Sequence, residues 1–315
     1  MKRLLASLFA AAVVAITVST LLIAQGAPPA PAQGDGGRAG GAGRAGGGGR
    51  AGGGGGRAGG AGAPEAPPAA PVRRMPDGKP DLSGFYTAEG RGANYGLEQH
   101  AAWSGMPGGQ GVVIDPPDLK LPMQDWARKV LALRQRPEYG YDDPTAQCTQ
   151  AAGVPRSFYV PSPFHILQTP DHVAVLFERM SWRVIPLNRK THVPDTIRMW
   201  HGDSIGRWEG DTLVVETKNL NGKTWLNEAG EIVSHAETVV ERFIPVNADR
   251  IRYEATVTDP LVYTRPWTIG VNFNRQADGE LLEVACLEDD EDAKHLKDIK
   301  DAARAAEKTA EKKGN

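Results

Sequence analysis

Apolar and polar positions change rhythm along this chain, and the change divides it. From Phe164 onward the text breaks into short segments rich in β-branched and aromatic residues: FHILQT, HVAVLFER, SWRVIPL, GRWEG, TLVVETKNL, TVVERFI, RIRYEATVTD, TRPWTIGVNFNRQ and GELLEVACLE. Several alternate with a period of two. Ile251, Tyr253, Ala255 and Val257 face one way and Arg252, Glu254, Thr256 and Thr258 the other; Trp267, Ile269, Val271 and Phe273 repeat the pattern. Turn residues separate the segments at Thr169-Pro170-Asp171, Asn188-Arg189-Lys190, Glu209-Gly210-Asp211, Asn247-Ala248-Asp249 and Ala277-Asp278-Gly279. Short connections with no alternating helices predict antiparallel neighbours. A meander of about ten strands with one apolar side predicts an antiparallel β-barrel or strongly curved sheet, lipocalin-like in architecture.

Ahead of the meander, Ser83–Thr87 and Gly111–Asp115 read as strands. Trp126, Val130, Leu131 and Leu133 recur at helical spacing between Pro122 and Pro137, which predicts one helix over about Met123–Arg136. The stretch 140–163 is too proline-rich for regular structure and reads as a loop. After the meander, DDEDAKHLKDIKDAARAAEKTAEKKGN reads as a charged C-terminal helix or a disordered tail, its acids preceding its lysines as a helix dipole favours, with a thin stripe of Leu296, Ile299, Ala303 and Ala306.

The N-terminal end belongs to no core. Met1-Lys2-Arg3 followed by the apolar run Leu4 to Ala24 reads as an export signal for the general secretory route, with cleavage near residue 25. Uncleaved, the run is about as long as a bilayer span requires, roughly 20 residues. Residues 26–73 carry R-A-G-G units at Arg38, Arg44, Arg50 and Arg57 and a Pro/Ala stretch. Nothing there offsets the entropy of ordering, so it reads as a disordered linker reaching about 35–40 Å. Residues 74–288 are then the barrel domain and 289–315 the tail. The net charge of −2 recommends no nucleic acid. In an oxidising compartment the two cysteines, Cys148 and Cys286, read as a disulfide.

Candidate chemistry starts at Gly202-Asp203-Ser204-Ile205-Gly206, a literal G-x-S-x-G match. The nucleophile elbow of that pattern needs a helix directly after the serine. Here Arg207–Val214 reads as a strand, a two-residue turn at Gly210-Asp211 and another strand. A likeness to the GDSL esterases, with Asp292 and His295 as the D-x-x-H partners, lacks that family's Gly-x-Asn-Asp block and its α/β domain. A turn that uses Asp203 and Ser204 locally is the stronger reading. No ligand spacing among the strands points to a metal or cofactor. Acid–base chemistry has better candidates in His165, Glu178, His201 and Asp203, with Arg183 nearby; a Glu178–Arg183 ion pair on the outer face is the structural alternative. Arg183, Trp200, Trp208 and Trp267 are candidates for lining a ligand cavity, against a default of core packing.

Several phrases together resemble a large family of exported bacterial proteins of unknown function: Pro80-Asp81-Leu82-Ser83-Gly84, Cys148 with Gly153-Val154-Pro155-Arg156, the stretch from His201 to Thr217, Glu241-Arg242-Phe243, Asp259-Pro260 with Tyr263-Thr264-Arg265-Pro266-Trp267, and Ala285-Cys286. The resemblance covers roughly 76–288. Relatives tend to continue after the last cysteine as Cys-His-Glu-Gly-Asn, whereas this chain has Leu287 and Asp289 at the histidine and glycine positions.

These readings converge on an exported, periplasmic or secreted monomer, held at the membrane only if its N-terminal segment is retained. Its expected function is to bind a small or amphipathic molecule inside the barrel. The alternatives are a periplasmic hydrolase or isomerase with a His/carboxylate pair, and a cell-envelope interaction module.

Overall fold

The computed structural model describes residues 69–284 apart from 104–105, 137–141, 149–151 and 180, together with 297–298, 301–306 and 308–310. The expected export signal, nearly all of the linker, and Cys286 lie outside the described residues. Among the described residues no helix is long and apolar enough to cross a membrane.

The chain forms a nearly closed antiparallel barrel. Its strands are β1 (Gly84–Ala88), β2 (Val113–Asp115), β3 (Phe164–Gln168), β4 (His172–Phe177), β5 (Ser181–Pro186), β6 (Asp203–Glu209), β7 (Thr212–Lys218), β8 (Thr238–Pro245), β9 (Arg250–Thr258) and β10 (Trp267–Arg275). The hydrogen-bonded order is β5-β4-β3-β1-β10-β9-β8-β7-β6, and β2 pairs with β10 beyond the end of β1. The mainly β class and barrel architecture therefore stand as the alternation predicts, as does a short helix near the C-terminus. One expected strand does not form: residues 279–284 of GELLEVACLE adopt no regular structure. The expected helix is α1 (Asp125–Arg134), shorter by two residues at each end.

Alternation sorts the faces as read. On β9, Ile251, Tyr253, Ala255 and Val257 are buried and the residues between them half-exposed. The β6–β7 hairpin turns at Gly210, whose φ of 60° is the left-handed value a two-residue turn needs.

Antiparallel pairing places the ends of β1, β4, β7 and β9 and the starts of β3, β5, β6, β8 and β10 at one end of the barrel. The opposite end is crossed by the segment that leads in from the linker. There Arg74 grips Asp211 in the β6–β7 turn with two bonds of 2.8 and 2.6 Å, and Ala248 N donates to Ala70 O at 3.0 Å. Packing against the barrel thus begins slightly before residue 74.

The first end is capped, and the cap is where the proline-rich stretch belongs. Within the expected loop, 152–160 is a buried insertion. A short 3-10 turn, Arg156–Phe158, sends the Phe158 ring into the barrel. Its centroid lies 4.9–5.6 Å from those of Phe164, Phe177, Phe243, Tyr253 and Phe273, so five strands converge on one ring. Arg156 anchors the turn through a buried two-bond pair with Asp143, at 2.9 and 2.7 Å. The long β7–β8 connection covers the same end, with Tyr159 donating to Leu226 O at 2.7 Å. α1 abuts it, with the Arg134 guanidinium 4.3 Å over the Trp225 ring.

Candidate functional site

The interior polar groups begin at a seam. β5 and β6 are the two edges of the hydrogen-bonded order, and side chains join them. Arg183 on β5 donates from Nε to Ser204 Oγ on β6 at 2.9 Å and from Nη2 to Thr217 Oγ1 on β7 at 2.6 Å. It also pairs through both terminal nitrogens with Glu241 on β8, and Tyr253 on β9 donates to Glu241 at 2.9 Å. One arginine thus ties four strands together from inside. Both charged partners are almost fully buried, so the pair is tolerable only because its hydrogen bonds are nearly saturated.

The seam explains the G-x-S-x-G match. Gly202 has φ 64°, and a Cβ there would fall 2.5 Å from Lys218 O. Ser204 is buried and bonded to Arg183 and Thr217. Gly206 leaves room for Ile185 and Leu187, which a Cβ would meet at 2.9 and 2.6 Å. The pattern closes a barrel and presents no nucleophile. Asp203 and Ser204 also correct the turn reading, since both lie in β6, on opposite faces.

Above this layer, toward the cap, three side chains carry buried polar atoms with no hydrogen-bond partner among the described residues: His201 at both ring nitrogens, Glu237 at both carboxyl oxygens, and Trp267 at Nε1. Each belongs to the capped end by its position at a strand start: His201 just before β6, Glu237 just before β8, Trp267 opening β10. The His201 ring stacks on Phe177 with centroids 5.7 Å apart. Burial pushes its imidazole down to about 4, and the Arg183 charge acts the same way. Glu237 is pushed well above the usual carboxyl range by burial and then by the charges of Asp259 and Glu241. Nearby Glu231, likewise buried, rises to about 7 through desolvation, against the hydrogen bonds from Asn227 and Leu97 N. Burial therefore favours the uncharged form of both His201 and Glu237. Tyr263 stands 5.2 Å from Trp267 and donates to Ile232 O at 2.8 Å.

The four acid–base candidates do not meet. His165 alternates outward on β3 between buried Phe164 and Ile166. Glu178 lies just past β4, half-exposed, and no hydrogen bond joins its side chain to Arg183, whose partner is Glu241 inside the barrel. Asp203 faces away from the interior. Burial opposes its charge, but Arg189, His192 and Val193 N hold its carboxylate below the ordinary range. Its histidine is thus His192, at 2.8 Å, and not His201. Among the lining candidates, Arg183 and Trp267 are interior. Trp208 packs on the core at the opposite end, near Lys79 Nζ at 5.9 Å, and Trp200 is half-exposed beside the cap.

Sequence reasoning missed Glu237, Glu241, His192 and Phe158. Glu241 was legible in principle, because strict alternation in TVVERFI places it with Val239 and Phe243 on the apolar face. Among the described residues no three His, Cys, Asp or Glu side chains converge as a metal site would require.

No family model matches the chain, and neither a curated protein nor a solved structure matches it.

Proposed function

We propose that this chain is an exported β-barrel that binds a small, uncharged polar molecule at its capped end, with Cys148 and Cys286 joined to hold the cap. The observation that carries the reading is that His201, Glu237 and Trp267, each at a strand start on the capped end, have buried polar atoms without hydrogen-bond partners among the described residues. Buried polar groups are otherwise almost always paired, so three such groups at one barrel end point to a ligand or water that completes them. The trio supplies an indole N–H, an imidazole with one donor and one acceptor, and a carboxyl whose burial favours the protonated form. Because burial disfavours charge on both His201 and Glu237, this end suits an entering ion poorly. A molecule carrying its own donors and acceptors and no net charge fits best.

Native mass spectrometry and extraction of the protein purified from the cell envelope test this. A bound small molecule is expected in the unmodified chain and lost in Glu237→Leu and His201→Phe. A chain that carries no ligand and shows no thermal shift across a library of neutral polar metabolites defeats the reading.

An envelope interaction surface has one observation in its favour. Leu167, Trp182 and Val184 are 44, 63 and 51 % exposed on the outer face of β3–β5, where Trp182 opposes Leu176 and Val184 opposes Ala174. Photo-crosslinking from position 182 in intact cells, with position 252 on β9 as control, separates that reading from interior binding.

A further inference from the structure

Where α1 meets the β9–β10 connection, a concavity of about 550 Å3 opens to solvent, lined by Met123, Gln124, Asp125, Trp126, Lys129 and Thr264. Backbone pairing fixes its base. Gln124 N donates to Val262 O at 2.9 Å and Thr264 N to Pro122 O at 2.8 Å, with Met123 bridged to Tyr263. α1 buries Ala127 and packs Val130 and Leu131 on the barrel core, the stripe that helical spacing demands. Trp126 lies off that stripe and stays 46 % exposed, so core packing does not account for it. An indole is a large apolar surface with a polar tip, and here it lines a concavity.

The polar groups around the indole are uncommitted. Asp125 and Lys129 stand four apart on α1, yet neither makes a hydrogen bond or ion pair among the described residues. Gln124 donates from Nε2 to Pro260 O at 3.0 Å and Thr264 from Oγ1 to Pro122 O at 3.1 Å, which leaves an acceptor oxygen on each. A wholly apolar partner would cover these groups without pairing them. A cation over the ring would meet Lys129, and an anion would meet Asp125. A carbohydrate suits both surfaces, because its C–H face covers an aromatic ring while its hydroxyls donate to the carboxylate and accept from the ammonium. We propose that this concavity is a carbohydrate-binding site in which a neutral sugar ring stacks on Trp126, its hydroxyls held by Asp125 and Lys129. The site is open to solvent and separate from the interior trio.

The seven tryptophans of the full chain can be followed individually by NMR of isotope-labelled indoles, with Trp126 assigned from the signal lost in Trp126→Phe. Maltotriose, cellotriose and chitotriose are the probes. At least one should move the Trp126 Nε1–H signal saturably, with a dissociation constant of about 1 mM, as a single stacked ring in an open site gives. By calorimetry Trp126→Phe should bind about three- to tenfold more weakly, and Trp126→Ala should lose binding. Asp125→Asn and Lys129→Met should each weaken it several-fold. Because all three side chains are exposed, unfolding temperatures of these variants should stay near that of the parent. Glu237→Leu, which alters the interior, should leave this binding unchanged. The proposal is overturned by a Trp126 signal that none of the probes moves up to about 50 mM. Undiminished binding in Trp126→Ala overturns it too, as does binding unchanged in both Asp125→Asn and Lys129→Met. A Trp126 response to benzyltrimethylammonium without one to the sugars would make the concavity a cation site and overturn it as well.

Discussion

Arg183 on β5 and Ser204 on β6 meet across the barrel's seam at 2.9 Å, Nε to Oγ. Backbone ladders hold every other junction in the strand order, whereas here side chains join the two edges. The same guanidinium continues to Thr217 and Glu241, so closure and the interior charge pair are one structure. Ser204 is spent on that structure, which is why a serine in hydrolase-like surroundings has no chemistry to perform.

Removing Arg183 alone should strand the Glu241 carboxylate in an apolar interior. Arg183→Met is expected to cost about 3–5 kcal/mol in urea unfolding at pH 7. The pair Arg183→Met/Glu241→Leu should recover most of that loss, because neither charge then needs solvation. A double variant as unstable as the single would show that the bonds to Ser204 and Thr217, and not the charge pair, hold the seam.

Gly206 should resist enlargement for lack of space. Gly206→Ala is expected to cost about 1 kcal/mol and Gly206→Val about 2–3 kcal/mol. Leu187→Ala should relieve the alanine variant, since the Leu187 methyl is the nearest obstruction. Gly210→Ala also destabilises, but through its left-handed φ with open space around it, so Leu187→Ala should not help there. Thermal unfolding of the four variants separates the two causes.

Phe158 fills the middle of the barrel from a segment outside the sheet. Phe158→Ala should cost about 3–5 kcal/mol, with Phe158→Leu substantially milder. Loss of the near-ultraviolet circular dichroism of Tyr253 and its neighbours, with far-ultraviolet signal retained, would report a barrel that keeps its strands and loses its plug.

Stability should depend on pH through groups of opposite sign. His201 is depressed from 6.5 to about 4 in the folded chain. The unfolded chain therefore binds a proton first as pH falls. Stability from His201 is full above about 6.5 and is lost between 6.5 and 4, up to about 3 kcal/mol at 1.36 kcal/mol per unit. Glu231 is raised from 4.5 to about 7, so its contribution is full below about 4.5 and is lost as pH rises to 7, by a similar amount. Glu237 is also raised and acts in the same direction as Glu231. Two acids outweigh one histidine, and the parent should gain stability as pH falls from 7 to 5. Glu231→Gln should flatten that slope, and His201→Phe should steepen it. Chemical denaturation at half-unit intervals measures both, and a slope unchanged by either variant refutes the assignment.

Much of the barrel was legible because alternation is a local property. A strand reports its buried face through every second residue, as β9 does from Ile251 to Val257, and turn chemistry at Gly210-Asp211 sets the register of β6 against β7. Individual side-chain partners were not legible. Arg183 and Glu178 are neighbours in sequence, whereas Arg183 and Glu241 are 58 residues apart and meet only because β5 and β8 face each other across a closed interior. Likewise His201 and Asp203 are two apart, yet one stacks on Phe177 inside while the other clamps His192 outside. Residues just ahead of a strand do not obey its period, so spacing of two did not place both on one face.

The amino-acid sequence by itself determined the class of the fold, the place of most strands and the faces they bury, because those follow from backbone geometry and the transfer of alternating apolar side chains out of water. Tertiary structure decided everything that depends on contacts distant along the chain. It turned the proline-rich stretch into a plug, made Ser204 a fastener, and gathered His201, Glu237 and Trp267 at one end. The physical reason is that desolvation and pairing of polar groups are set by what surrounds them once the barrel closes, and closure is a property of the whole sheet.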